Sequence, residues 1–241
     1  MKIDWSPLDA ALERRTPVLW WRDDDVTEPS PALDRLLALA ASVNAPLTLA
    51  AIPANTKTTL AERLEAEPTV AVAVHGWEHR NHAPTGEKTA EFGLHRPLRE
   101  RMAEAERGLT VIRNLFGDKA LAAFVPPWNR IAPDMPETLA DMGYHGLSVY
   151  GEREPRTTPL PRFDAHLDPV DWRGTRSAVD PAAFVARTCE LVATGAPIGL
   201  MTHHLAHDEA VWDLVEATVA RLTNRGAQWT SLAALIQPRH P

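Results

Sequence analysis

Residues 69–79 read Thr-Val-Ala-Val-Ala-Val-His-Gly-Trp-Glu-His, and the fold turns on this stretch. Positions 69–75 mix β-branched residues with alanine, so both faces are apolar and the segment predicts a buried strand. Its last residue, His75, opens a polar cluster that continues through Trp77, Glu78 and His79 to Asn81 and His82. A strand that is apolar until its end and then delivers titratable side chains belongs to parallel α/β architecture, where sites are built at strand C-termini.

The same alternation extends in both directions. Upstream, the apolar run 18–21 ends in charge, and Ser30-Pro31 supplies an N-cap and a first-turn proline for a helix through Leu33, Leu36, Leu37 and Ala40. Residues 47–52 predict a strand and 57–67 a helix. Downstream, a helix over about 97–116 carries the stripe Leu98, Met102, Ala105, Leu109, Ile112 and Leu115, with Gly117 as its stop. Strands follow at 121–125, 146–150, 163–167, 198–202 and 227–230. Helices are expected at 136–142 (closed by Gly143), at 181–194 (opened by Asp180) and at 208–224. Strands that alternate with helices indicate βαβ units. About seven such units fit a closed or nearly closed α/β barrel in a single domain over residues 1–241. A doubly wound open sheet is the competing architecture, and periodicity does not separate the two.

Composition narrows the function. The chain has 25 Lys+Arg against 32 Asp+Glu, a formal charge of −7, which argues against nucleic acid as a partner. The first residues lack the apolar core of a secretory signal, and no run approaches the ~18 apolar residues of a membrane span, so a cytoplasmic protein with no membrane partner is expected. The single cysteine, Cys189, excludes an internal disulfide and is expected to be an inert core residue on a helix. Eight Trp outnumber five Phe and two Tyr together, and six of the ten His fall in two short clusters.

Five polar clusters sit at or near predicted strand ends. Arg22-Asp23-Asp24-Asp25 follows the run 18–21, and three adjacent carboxylates need a cation or a proton among them. In His75…His79, two imidazoles at i and i+4 converge on one metal if the segment makes a helical turn. Pro126-Pro127-Trp128-Asn129-Arg130 fixes an extended path and offers a flat ring. Asp168-Pro169-Val170-Asp171-Trp172 comes next, and Leu200-Met201-Thr202-His203-His204, with His207 and Asp208 behind it, closes the series. One Asp and two His form a plausible ligand set for a divalent ion such as zinc, with a position left for water.

In order and spacing, these clusters resemble the five motifs of the polysaccharide deacetylases with a NodB homology domain, carbohydrate esterase family 4. The resemblance spans about residues 18–204. It implies a distorted (β/α) barrel of about seven parallel strands and hydrolysis of an N-acetyl or similar acyl group on an amino sugar or polysaccharide. It further implies Asp25, His75 and His79 as ligands of one divalent metal ion, most simply zinc, with Asp24 as general base and His203 as general acid. Trp77, Pro127, Trp128, Arg130, Asp171 and Trp172 would line the substrate site. Asp23-Asp24 is the alternative register of the Asp pair, and His204 the alternative to His203. Two departures stand out: Val26 follows the pair where glycine is usual, and Val125 stands where an arginine is expected, a role open to Arg130 or Arg22. A small non-carbohydrate linear or cyclic amide is the alternative substrate. A catalytically silent carbohydrate-binding barrel is the alternative function, and the oligomeric state is open.

Overall fold

The computed structural model describes residues 2–151 and 160–236. Its strands are β1 (Val18–Val26), β2 (Leu47–Ala51), β3 (Val70–His75), β4 (Ala120–Val125), β5 (Gly146–Leu147), β6 (Ile198–Thr202) and β7 (Gln228–Trp229). Its helices are α1 (Ser6–Arg14), α2 (Pro31–Ser42), α3 (Thr58–Leu64), α4 (Leu98–Phe116), α5 (Met135–Asp141), α6 (Pro181–Thr194), α7 (Glu209–Asn224) and α8 (Leu232–Ile236). The strand order is β5-β4-β3-β2-β1-β6, with β7 on β1, and the ladders β1–β6, β1–β7, β3–β4 and β4–β5 are parallel. In a doubly wound sheet the order reverses at a switch point. Here β1 to β5 follow one another without reversal and β6 returns beside β1, the succession of a (β/α) barrel. The chain adopts the expected α/β fold of seven parallel strands.

The described residues divide into two compact units. The first takes residues 2–23, 30–47 and 165–231; the second takes 24–29, 48–151, 160–164 and 232–236. In the first, β6 pairs with β1 from Leu19↔Ile198 to Asp23↔Thr202. All of β6 is buried, and Gly199 is a packing requirement, because a Cβ there would lie 2.6 Å from the Trp20 ring. The helices start where their caps say. Ser30, Asp180 and Asp208 accept the backbone N–H groups of Leu33, Ala183 and Val211 at 3.1, 2.8 and 2.9 Å. Helix α2 buries Leu33, Leu36, Leu37 and Ala40, the predicted stripe.

In the second unit β3 is buried at five of its six positions, as a central parallel strand should be. Helix α4 buries Ala105, Leu109 and Ile112, and also Arg101, whose guanidinium makes a bidentate pair with Asp134 at 2.7 and 2.8 Å. Strand β1 runs on through the acidic cluster to Val26, helix α8 is an addition to the expected elements, and four further expectations change. Strand β5 stops at Leu147 instead of residue 150, and residues 163–167 form no strand. There the chain makes single bridges, Leu147↔Arg162 and Leu167↔Leu200, because Asp164 spends its carboxylate on the Val149 N–H and the Arg162 guanidinium. Helix α1 was not expected, since its apolar face is only Leu8 and Leu12. Cys189, on α6, is half-buried instead of fully in the core, and burial raises its thiol pKa. Among the described residues, no helix is long and apolar enough to cross a membrane.

Candidate metal centre

His75 is the last residue of β3 and 2 % exposed. Its Nδ1 lies 3.0 Å from the carbonyl oxygen of Val125, the end of β4. A carbonyl only accepts, so Nδ1 carries the proton and the lone pair of a neutral ring sits on Nε2. That Nε2 is 3.0 Å from Asp25 Oδ1, and His79 Nε2 is 3.4 Å from the same oxygen. A lone pair facing a carboxylate at that range needs a proton or a cation between them. Two ligand atoms each ~2.1 Å from a common ion, at angles of roughly 90–110°, lie about 3.0–3.4 Å apart. The three residues therefore fit a divalent metal by donor type and by spacing, their ligand atoms all within 4.8 Å of one another. Burial holds the His79 pKa below its ordinary value, helped by His75 and opposed by Asp25, and the neutral ring is the form that ligates.

The convergence of His75 and His79 does not come from a helical turn, as their spacing suggested. After β3 the chain is irregular to residue 97. Gly76 has φ +59° and His79 φ +55°, left-handed conformations that turn the loop back within four residues. The loop closes around Glu91, which is fully buried. Glu91 Oε2 accepts the Trp77 N–H at 3.0 Å, and Oε1 accepts the Glu78 and Arg80 N–H groups at 2.8 and 3.4 Å. Burial pushes the Glu91 carboxyl pKa upward, with those backbone bonds pulling it back. A Cβ on Gly76 would lie 2.1 Å from Glu91 Oε2 and 2.5 Å from Pro127 Cγ, so glycine is required twice over. Sequence reasoning missed Glu91; its only signal was a carboxylate between two apolar residues, Ala90 and Phe92.

Trp128 and Asn129 follow β4 with φ of 54° and 56°. The Trp128 ring sits 4.3 Å from the His79 ring, centroid to centroid. Pro127 is buried. Arg130 donates through Nη1 to the carbonyl and the hydroxyl of Thr89, both at 2.7 Å. The Arg107 guanidinium covers one face of Trp77 at 4.3 Å. In the second unit the structure thus brings together Asp25, His75, His79 and Trp128; Asp24, 1 % exposed, immediately precedes Asp25.

The first unit gathers another set. Asp23 is fully buried, and its Oδ2 accepts the Thr202 hydroxyl at 2.6 Å and the His204 N–H at 2.9 Å, while Oδ1 meets His204 Nδ1 at 2.5 Å. Burial pushes the Asp23 pKa up, but His204 and the Thr202 hydroxyl outweigh it and hold the carboxyl below its ordinary value. The Trp21 indole N–H donates to the same Thr202 hydroxyl at 2.9 Å. Arg22 is buried with Nη2 2.9 Å from Met201 Sδ. His204 is 1 % exposed; His203 is half-buried, its ring edge-on to Trp172 at 4.8 Å, and its N–H donates to His207 Nε2 at 3.4 Å. Asp168 accepts the Trp172 indole N–H at 2.8 Å, and Asp171 closes its own turn on the Gly174 and Thr175 N–H groups at 3.0 Å.

No known family profile and no curated protein sequence matches the chain. Solved structures do. A Mycobacterium smegmatis protein provisionally assigned as a polysaccharide deacetylase superposes with a TM-score of 0.68 at 14 % identity, covering 92 % of this chain and 89 % of its own. A carbohydrate esterase family 4 pseudoenzyme from Bacillus anthracis gives 0.63 at 12 % identity, over 92 % and 66 %. A family 4 acetyl xylan esterase from Clostridium thermocellum, in complex with a cobalt ion, gives 0.53 at 15 % identity, over 90 % and 89 %. At these identities the likeness shows the fold: this chain is built like the family 4 deacetylases.

Proposed function

We propose that this chain is a divergent member of carbohydrate esterase family 4, a metal-dependent hydrolase that removes an N-acetyl or similar acyl group from an amino sugar or polysaccharide. The observation that carries the reading is the meeting of Asp25, His75 and His79, with one carboxylate oxygen 3.0 and 3.4 Å from two imidazole nitrogens. These three residues would hold one divalent ion, zinc by donor set. When bound, the ion supplies Lewis acidity and lowers the pKa of water from ~15.7 toward ~7.

The chain's own groups do the rest. Asp24 accepts the proton of the attacking water as general base. His203 protonates the leaving amine. Its ring keeps the exposure a proton donor needs, whereas His204 is committed to Asp23. The Trp128 ring, beside His79, offers a flat apolar face suited to a sugar ring, and Trp172, beside His203, offers a second.

Elemental analysis of the purified protein tests the metal, and acetate release from a panel of N-acetylated amino sugars, run against small linear and cyclic amides, tests the substrate. One equivalent of divalent metal, lost in His75→Ala and His79→Ala, with acetate from the sugar panel only, is the expected result. Hydrolysis confined to the small amides would replace the sugar by such an amide. Metal binding with no hydrolysis of either panel would leave a silent barrel.

A further inference from the structure

We infer that Glu91 is a positioning residue for the metal centre: its carboxylate shapes the loop after β3 before any ion arrives, and so sets the affinity of the site. The inference rests on the metal reading above. His75 needs no such help, because it ends a buried strand and its ring is held by the Val125 carbonyl. His79 has neither support. It lies in an irregular loop, with φ of +55°, a left-handed conformation that L-residues other than glycine rarely adopt.

What holds it there is the pair of backbone N–H groups before it and the one after. Trp77 and Glu78 bond to Glu91 at 3.0 and 2.8 Å, and Arg80 at 3.4 Å. Successive N–H groups turned toward one carboxylate make an anion-binding concavity, and here the anion is the protein's own side chain. Gly76 completes the arrangement, since any Cβ there would occupy the space of Glu91 Oε2. The loop also donates back to the scaffold, because the Trp77 carbonyl accepts the Ala54 N–H at 2.9 Å. Glu91 thus does for His79 what Val125 does for His75, through the main chain instead of the ring. Partners that orient metal ligands from behind are typically worth 10–100-fold in metal affinity.

The arrangement predicts a graded series. Glu91→Gln keeps one acceptor oxygen but turns an amide N–H₂ toward a backbone donor, and should weaken Co²⁺ or Zn²⁺ binding by about 10-fold. Glu91→Ala removes both acceptors and should weaken it by about 100-fold. Affinity is read by chelator competition on protein shown to be folded, and the visible spectrum of the Co²⁺ form reports His79 directly, losing intensity in both variants. A purely structural role would lower the melting temperature of the metal-free chain and leave the dissociation constant and spectrum of the folded fraction unchanged; that outcome overturns the inference. Should neither variant fold, amide hydrogen exchange on the metal-free wild-type chain decides. Protection of the Trp77 and Glu78 amides before metal is added supports preorganisation, and protection appearing only with metal overturns it. A wild-type chain that binds no metal at all would instead remove the metal reading, and this inference with it.

Discussion

Asp25, His79, Trp128 and Asn129 share a backbone conformation that L-residues avoid, with φ between 54° and 77°. Only two other non-glycine residues among those described, Asn44 and Arg176, do the same. Four strained positions within one site mark a place where geometry was selected over stability. Asp25 shows why. On a regular strand successive side chains point to opposite faces, and the turn at Asp25 lets it meet His75 and His79, which under the proposed mechanism leaves the base to its neighbour Asp24. Asp24→Asn should therefore retain the metal and abolish hydrolysis, whereas Asp25→Asn should lose the metal; metal content and acetate release on the same two proteins check both. His207 gives a pH signature. Burial depresses its pKa from 6.5 to about 4, opposed by Asp23 and reinforced by His203 and His204. The unfolded chain then binds the extra proton first, so stability should fall as pH drops from about 6.5 to about 4 and level off below that. His207→Gln should flatten that part of a urea-denaturation profile. The family resemblance pointed to Asp25, His75 and His79, whose ligand atoms the fold brings within 4.8 Å of one another, while the residues alone left both registers of the Asp pair open. Glu91 and the Asp23–His204 pair were not legible in the sequence, because a buried carboxylate leaves no period and its partners lie in other segments.

At the scale of elements, the caps were the most readable features. Ser30, Asp180 and Asp208 each bond the N–H three residues on, at the positions the sequence marks as helix starts. Asp180→Ala should cost about 1 kcal/mol of stability, measured as a lower denaturation midpoint with activity per folded molecule unchanged. Strands β3, β4 and β6 were legible for a different reason: buried parallel strands write themselves as unbroken apolar runs. The expected strand over residues 163–167 reads similarly, but Asp164 and His166 lie in it. Both side chains bind backbone, His166 Nδ1 accepting the Gly199 N–H at 3.1 Å and Asp164 the Val149 N–H at 3.2 Å. Side chains that compete for backbone partners interrupt a ladder that hydropathy alone would continue.

At the scale of the whole molecule, the strand order carries a consequence for how the chain reaches its fold. Strand β1 is the first made, yet two of its ladders are with β6 and β7, the last two. Trp21 finds Thr202, and Asp23 finds His204, across 181 residues. Loop closure over such a separation has to be met before the contacts reward it, which slows folding and lengthens the time apolar strands stay exposed. On a ribosome adding ~5–20 residues per second, the second unit's β3 and β4 can pair many seconds before β1 receives β6. A chain cut after residue 196 should then show protected amides in β3 and β4 by hydrogen exchange and weakened protection in residues 18–23, which lose their β6 and β7 partners, where the intact protein protects both. Residues 19–23 of β1 are thus among the last to be locked, so the buried Asp23–His204 pair is completed only once nearly all of the polypeptide has been made.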